Sequence, residues 1–110
     1  MKIFRPWVPV RRLATSGNKL QREWLKYLFL KGLIENDWDI REQSCSISHN
    51  TNIGTMIEFL SDQEDCGLYI RSVCGDGWLV KHGEITKFDE ELRYALWETI
   101  LEVLNENKPT

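Results

Sequence analysis

The sequence predicts an α+β fold in which an antiparallel sheet of about four strands, connected as a meander, packs against an amino-terminal and a carboxyl-terminal helix. Three observations predict it: helical apolar spacing near both chain ends, alternating apolar residues between them, and short turns rich in glycine and asparagine. The chain has 110 residues, of which 42% are hydrophobic and 28% charged. This size predicts a single domain, with an extended basic arm at 1–14 and an α+β body at 15–110.

The first fourteen residues are expected to be extended. Pro6 and Pro9 have a fixed φ and bias the residues before them away from the helical region. The segment carries too many apolar side chains for a free tail. We therefore expect this arm to pack on the body as an edge strand.

Helices are predicted on both sides of the strands. Apolar residues recur at helical spacing over 19–31, and Gly32 is expected to end that helix. The second helix is expected to start after Asp89, which can cap it, and to end near Asn105. Its apolar stripe is broad, so we expect it to be largely buried against the sheet.

The strands are predicted from alternating apolar residues at 38–47, 55–60, 68–74 and 78–80, followed by a short segment at 85–86. The alternation in the first of these shifts phase near Ser44, which indicates a bulge or a strand end. Polar residues at 48–52 predict a turn, and the glycines at 75–77 predict a tight hairpin turn.

The charge is distributed unevenly along the chain. Residues 1–31 hold eight basic side chains and one acidic, a net charge of +7, whereas residues 32–110 hold six basic and sixteen acidic, a net charge of −10. One interpretation is that the two halves neutralise each other. The other is that the acidic part is a docking surface for a cationic partner.

The lack of a recognisable targeting signal and the cysteine content predict a cytoplasmic protein. The sequence contains no run of about 18 apolar residues, so no membrane span is expected. Arg5 and two prolines interrupt the amino end, which therefore does not resemble a secretory signal. The three cysteines are an odd number without the spacing of a disulfide framework, which favours reduced thiols.

The sequence holds no motif that predicts catalysis or cofactor binding. The residues that could ligate a metal lack the close pairs of structural zinc sites; they are Cys45, His49, Cys66, Cys74 and His82. No serine lies in a nucleophile elbow, and no cysteine lies at a predicted helix start. We therefore expect no metal, no cofactor, no small-molecule ligand and no enzymatic activity. If the protein were an enzyme, Cys74 and His82 would be its best candidate residues.

Acidic residues gather in the loops and turns beside the strands: Asp37, Asp39, Asp62, Glu64, Asp65 and Asp76. Their clustering predicts a surface that steers and binds a basic protein. Trp78, beside an acidic turn, is a candidate anchor for that partner, although an aromatic residue in an alternating strand is more often part of the core.

The basic arm supports an alternative partner. Arg5, Arg11 and Arg12 lie among aromatic residues, and this combination can neutralise phosphates and stack on bases. The sequence pI of about 5.4 counts against a nucleic-acid-binding domain, since such domains are usually basic.

A short single domain with acidic turns on an α+β body, five tryptophans and no catalytic motif resembles the small cytoplasmic immunity proteins that protect bacteria from their own toxins, including those of contact-dependent growth inhibition. This resemblance implies a non-catalytic inhibitor whose acidic surface covers the basic substrate cleft of a nuclease toxin. The basic first 31 residues depart from that pattern. The alternative is a small nucleic-acid-associated regulator that uses the basic arm.

Overall fold

The computed structural model describes residues 6–14, 18–35, 44–63 and 67–106. Its architecture is α+β, as the sequence predicts, and the sheet is antiparallel. The chain divides into two compact units, Met1–Asn52 and Ile53–Thr110, which we call the amino-terminal and carboxyl-terminal units. The expectation of a single domain stays a prediction.

The described elements of the amino-terminal unit are α1 (Val10–Ala14), α2 (Asn18–Leu30) and α3 (Ser44–Asn50). Those of the carboxyl-terminal unit are α4 (Ile53–Ser61), β1 (Leu68–Val73), β2 (Gly77–His82), β3 (Ile85–Asp89) and α5 (Leu92–Glu106). None of these helices has the length and apolar character needed to cross a bilayer.

The predicted helix at 19–31 is confirmed as α2, and it ends where the sequence indicates. Gly32 has a φ of 74°, and its N–H donates to the carbonyl oxygen of Phe29 at 2.9 Å. The N–H of Leu33 donates to the carbonyl oxygen of Leu28 at 3.0 Å. This pair of bonds is a Schellman motif, in which glycine takes the left-handed position that ends the helix.

The first described segment is extended only in part. Residues 6–9 lie outside any helix, and Trp7 forms an isolated antiparallel bridge with Asn52. Residues 10–14 form α1, so the prediction of extended chain through residue 14 is wrong there. Pro9 is the reason, because its fixed φ suits the start of a helix and its carbonyl accepts from Arg12 and Leu13 at 3.0 and 3.2 Å.

Two segments predicted as strands are helices. Ser44–Asn50, which holds the end of the first predicted strand and the start of the turn predicted at 48–52, forms α3, and Ile53–Ser61 forms α4. Residues 38–43 of the first predicted strand lie outside the described residues. In α4, Met56 and Leu60 are fully buried at a spacing of four residues. The β-branched residues of this segment favour a strand locally, but burial of its apolar face at helical spacing is decisive.

The sheet has three strands in the order β1–β2–β3, one fewer than the approximate number predicted. Consecutive strands pair antiparallel, with Val80 opposite both Ile70 and Lys87. The β1–β2 turn has positive φ at Cys74 (42°) and Gly75 (80°), as a type I′ turn requires. The glycine-rich hairpin turn expected at this place is therefore confirmed.

The core of the carboxyl-terminal unit lies between the sheet and two helices. Helix α5 packs on β2, β3 and α4, and α4 also packs on β1. The α5 residues Leu96 and Ile100 are fully buried, which confirms the expected burial of this helix. The helix begins at Leu92, and the carbonyl oxygen of Glu91 accepts its first bonds, so the prediction that Asp89 caps it is wrong. Asp89 instead accepts the N–H of Glu91 through its Oδ1 at 2.9 Å, in the turn before the helix.

Candidate functional site

The strand register assigns each side chain of the sheet to one of two faces. Residues directly opposite each other on paired antiparallel strands point to the same face. Val80 is fully buried, so Val80 and its partners mark the inner face. His82 lies on the same face, and its Nε2 donates to the carbonyl oxygen of Leu60 at 3.0 Å, which joins the end of β2 to α4.

The alternate positions form the opposite face, which we call the outer sheet face. Its side chains are Tyr69, Arg71, Val73, Leu79, Lys81, Thr86 and Phe88, with Gly77 at its edge. Tyr69 is 52% exposed and Phe88 is 53% exposed. Large apolar side chains that are exposed on the same face can mark an interaction site.

The charges on the outer sheet face have one sign. Arg71 and Lys81 are both exposed, and none of the positions on this face carries a carboxylate. The exposed carboxylates Asp76 and Glu84 lie instead in the β1–β2 and β2–β3 turns, at the two ends of the strands. The face is therefore a cationic and aromatic band between two acidic ends.

The side chains of this band form two rows across the strands. Tyr69 lies beside Lys81 in one row, and Arg71 lies across Leu79 from Phe88 in the next. From standard strand spacing, the Cα atoms of Tyr69 and Phe88 are about 12 Å apart on the diagonal. The face can thus hold two flat rings at separate positions, with Lys81 beside Tyr69 and with Arg71 in the same row as Phe88.

Gly77 fixes the position of the Phe88 ring. A Cβ atom on Gly77 would lie 2.9 Å from Cζ of Phe88 and 2.6 Å from the backbone oxygen of Asp89. The Phe88 ring therefore lies over the bare backbone of Gly77. An aromatic side chain that covers a cross-strand glycine in this way is held by the sheet, although half of it remains exposed.

The predicted acidic residues do not meet in one described cluster. Asp62 is exposed just after α4, and Asp76 is exposed in the β1–β2 turn. The His82–Leu60 hydrogen bond places the end of α4 at one end of β2, whereas Asp76 lies beyond the other end. Trp78 lies half-buried on the inner face, which favours its core interpretation. The other acidic candidates lie outside the described residues: Asp37, Asp39, Glu64 and Asp65.

The predicted arginines of the arm lie on or before α1. Arg11 is exposed and Arg12 is partly buried, while Arg5 lies outside the described residues. The segment that carries them is anchored by the buried side chains of Val8 and Leu13. Arg11 and Arg12 are therefore displayed by a structural element and not by a free tail.

The best candidates for an active site are far apart. Cys74 is exposed in the β1–β2 turn, and His82 is buried at the opposite end of β2, so the two cannot form a nucleophile and base pair. Cys66 lies outside the described residues. Across the ranges that the structure describes, no three His, Cys, Asp or Glu side chains are grouped to hold a metal ion.

Sequence reasoning missed the outer sheet face, although the signal was present. The predicted strand at 68–74 alternates, and its second phase holds Tyr69 and Arg71. An aromatic residue in the polar phase of a strand indicates an exposed ring. The pairing with Lys81 and Phe88 was needed to show that these residues share one face.

Comparison with protein families, with curated proteins and with solved structures finds no match to this chain.

Proposed function

We propose that the protein is a non-catalytic binding protein that holds single-stranded nucleic acid on the outer sheet face. One observation carries the proposal: Tyr69 and Phe88 are half-exposed on a face that also presents Arg71 and Lys81 and no carboxylate. This is the alternative partner class that the sequence suggested, but the proposed contact surface is the sheet instead of the basic arm.

Stacking and charge neutralisation favour this partner. A base stacked on an aromatic side chain contributes about 1–3 kcal/mol, and a cation beside the ring neutralises a phosphate. A duplex keeps its base faces inside the helix, where Tyr69 and Phe88 cannot stack on them. The face therefore favours single strands, whose bases are free to unstack.

The acidic ends of the sheet determine the direction in which the bound nucleic acid runs across it. Asp76 and Glu84 repel phosphates at the two ends of β2, whereas Arg71 and Lys81 attract them in the middle. A polyanion that runs across the three strands avoids both carboxylates. The bound strand is thus expected to cross β1, β2 and β3 and not to follow any one of them.

The test is a double substitution that removes both ring faces and keeps their apolar volume. Tyr69→Leu with Phe88→Leu is expected to weaken binding of a fluorescein-labelled single-stranded oligonucleotide by about 30-fold, because two stacking contacts are lost. Fluorescence anisotropy is measured with DNA, RNA and the corresponding duplex. Binding that survives the double substitution, or that is tighter for the duplex, contradicts the proposal.

The contribution of the outer-face cations is tested with one substitution on that face and a matched control on the inner face. Lys81→Gln on the outer sheet face is expected to lower the affinity and to reduce the slope of log K against log salt by about 0.7. Lys87→Gln changes the same charge on the inner face, where Lys87 pairs with Glu102 at 3.2 Å, and is expected to leave the slope unchanged. Equal slopes for the two variants would exclude the outer sheet face as the nucleic-acid-binding surface.

The acidic surface of the carboxyl-terminal unit favours a second candidate function, neutralisation of a cationic protein such as a nuclease toxin. Ile53–Thr110 holds twelve acidic and five basic residues. Among the described residues of this unit, the exposed carboxylates are Glu58, Asp62, Asp76, Glu84, Glu90 and Glu91. Such a surface accelerates association with a basic partner.

This second function is tested by capture from a nuclease-treated native lysate, with elution by rising salt. A basic protein that elutes in stoichiometric amount is then purified and its association rate is measured. Asp62→Asn with Asp76→Asn is expected to slow association and to flatten its salt dependence, whereas Tyr69→Leu with Phe88→Leu leaves the rate unchanged. An association rate unaffected by the two asparagine substitutions contradicts steering by these residues.

A further inference from the structure

The outward face of α2 in the amino-terminal unit has a composition that nucleic-acid binding by the sheet does not explain. The buried side chains of this helix are Trp24, Leu25 and Leu28. On the opposite side, the exposed residues recur at three- and four-residue spacing. The α2 outer face, as we call it, consists of Lys19, Arg22, Lys26, Phe29 and Leu30, and the exposed carboxylate of Glu23 lies among them.

Two large apolar side chains protrude at one end of this face. Leu30 is 78% exposed and Phe29 is 42% exposed, at the carboxyl end of α2. The Schellman bonds at Gly32 fix the backbone of the last turn of the helix, from which both side chains protrude. Adjacent exposed apolar residues on an ordered turn indicate a contact surface.

The three cations are aligned with the apolar pair. From the helical rise of 1.5 Å per residue, Lys19 and Leu30 are separated by about 17 Å along the axis. Arg22 and Lys26 lie between them on the same side together with the carboxylate of Glu23, so three cations and one anion give the face a net charge of +2. A flat anionic surface can therefore meet all five residues at the same time.

We infer that the α2 outer face docks the protein onto the surface of an anionic lipid bilayer. Lipid phosphates and carboxylates attract Lys19, Arg22 and Lys26, while Phe29 and Leu30 enter the boundary between headgroups and acyl chains. A nucleic acid would use the three cations but would gain nothing from the exposed apolar pair. A second copy of this face would be repelled by the same three cations.

The test is cosedimentation of the full-length protein with vesicles made of equal parts phosphatidylserine and phosphatidylcholine, compared with pure phosphatidylcholine. Binding is expected to the anionic vesicles alone and to weaken as salt is raised. Phe29→Ser with Leu30→Ser is expected to lower the partition coefficient by about tenfold or more, because the inserted apolar area is lost.

The charges are tested separately, and circular dichroism checks that each variant is folded. Lys19→Gln, Arg22→Gln and Lys26→Gln together are expected to lower vesicle binding by at least about tenfold and to remove its salt dependence. Tyr69→Leu with Phe88→Leu in the other unit leaves vesicle binding unchanged, so failure of the proposed nucleic-acid function and failure of this inference are distinguishable.

Three results would overturn the inference. The first is equal sedimentation with neutral and anionic vesicles, or none with either. The second is loss of oligonucleotide binding, instead of vesicle binding, when the three cations are replaced. The third is a dimer in analytical ultracentrifugation that dissociates on Phe29→Ser with Leu30→Ser, because the apolar pair would then serve self-association.

Discussion

Deletion of residues 1–12 is expected to unfold the amino-terminal unit instead of removing a free binding arm. Val8 is fully buried, and its N–H donates to the carbonyl oxygen of Thr51 at 2.9 Å. The hydroxyl of Ser48 donates to the carbonyl oxygen of Val8 at 2.8 Å. The deletion exposes the apolar surface that Val8 covers and leaves both partners without their bonds, at a cost of about 4 kcal/mol or more.

A loss of this size approaches the whole stability of a small domain, so the effect is measured as loss of structure. Hydrogen exchange of the backbone amides of Trp24, Leu25 and Leu28 reports on α2, whose side chains form much of the buried surface. These amides are expected to be protected in the full chain and to exchange rapidly after the deletion. Retained protection in the truncated chain would show that the arm is dispensable.

A charge variant separates the structural role of the arm from binding. Arg11→Gln with Arg12→Gln leaves Val8 and its bonds in place and is expected to keep the amides of α2 protected. If the arm were the nucleic-acid site, this folded variant would lose most of its affinity for a single-stranded oligonucleotide. On the sheet proposal, the affinity remains within about threefold, since two charges outside the proposed contact surface contribute little.

Local signals allowed α2 and its end to be predicted from the sequence. The apolar spacing and Gly32 act within a few residues of one another, and no distant partner is required. The carboxyl-terminal hairpins were also predictable, because the turn glycines lie between alternating segments. These are the elements for which sequence and structure agree.

Long-range contacts decide the parts that the sequence did not predict. Residues 48–52 were expected to form a polar turn, yet Thr51 is fully buried. Its hydroxyl accepts from Nε1 of Trp24 at 3.0 Å and donates to the carbonyl oxygen of Ile47 at 2.7 Å. A threonine in a polar stretch gives no sign of a partner 27 residues away, and burial becomes favourable only because both bonds are made.

The outer sheet face was missed for a related reason. Tyr69 and Phe88 lie in different strands, and a one-residue shift in register would place one of them on the inner face. The sequence predicts the strand that holds Tyr69 but only a short segment at 85–86 before Phe88, and it does not fix how the two pair. The acidic turns could be predicted as a binding surface because the residues of each turn are close in sequence. The residues of the cationic and aromatic face are close only in space.

Gly77→Ala is expected to destabilise the carboxyl-terminal unit by about 3 kcal/mol or more. Gly77 has a φ of 155°, and a Cβ atom there would lie 2.6 Å from the backbone oxygen of Asp89. Since Asp89 pairs with Trp78 in the register of β2 and β3, the backbone of one strand has to move. Backbone strain and overpacking each contribute about 1–3 kcal/mol.

Gly32→Ala is the matched control for this substitution. Gly32 also has positive φ, but a Cβ atom there meets nothing within 4 Å. Its replacement therefore costs only the strain of an L-residue in the left-handed region, about 1–2 kcal/mol. Urea unfolding of both variants, followed by tryptophan fluorescence, is expected to give a larger loss for Gly77→Ala. Equal losses would mean that the clash with Asp89 relaxes at no cost.

The same substitution also tests how Phe88 is held. In Gly77→Ala the added methyl group meets Cζ of Phe88 at 2.9 Å, so the ring has to leave its place over β2. If Phe88 stacks on a base, the variant that remains folded at low temperature is expected to bind a single-stranded oligonucleotide about tenfold more weakly. If the variant loses stability but keeps its affinity for the oligonucleotide, binding does not depend on where the Phe88 ring lies, since Gly77 determines the position of that ring.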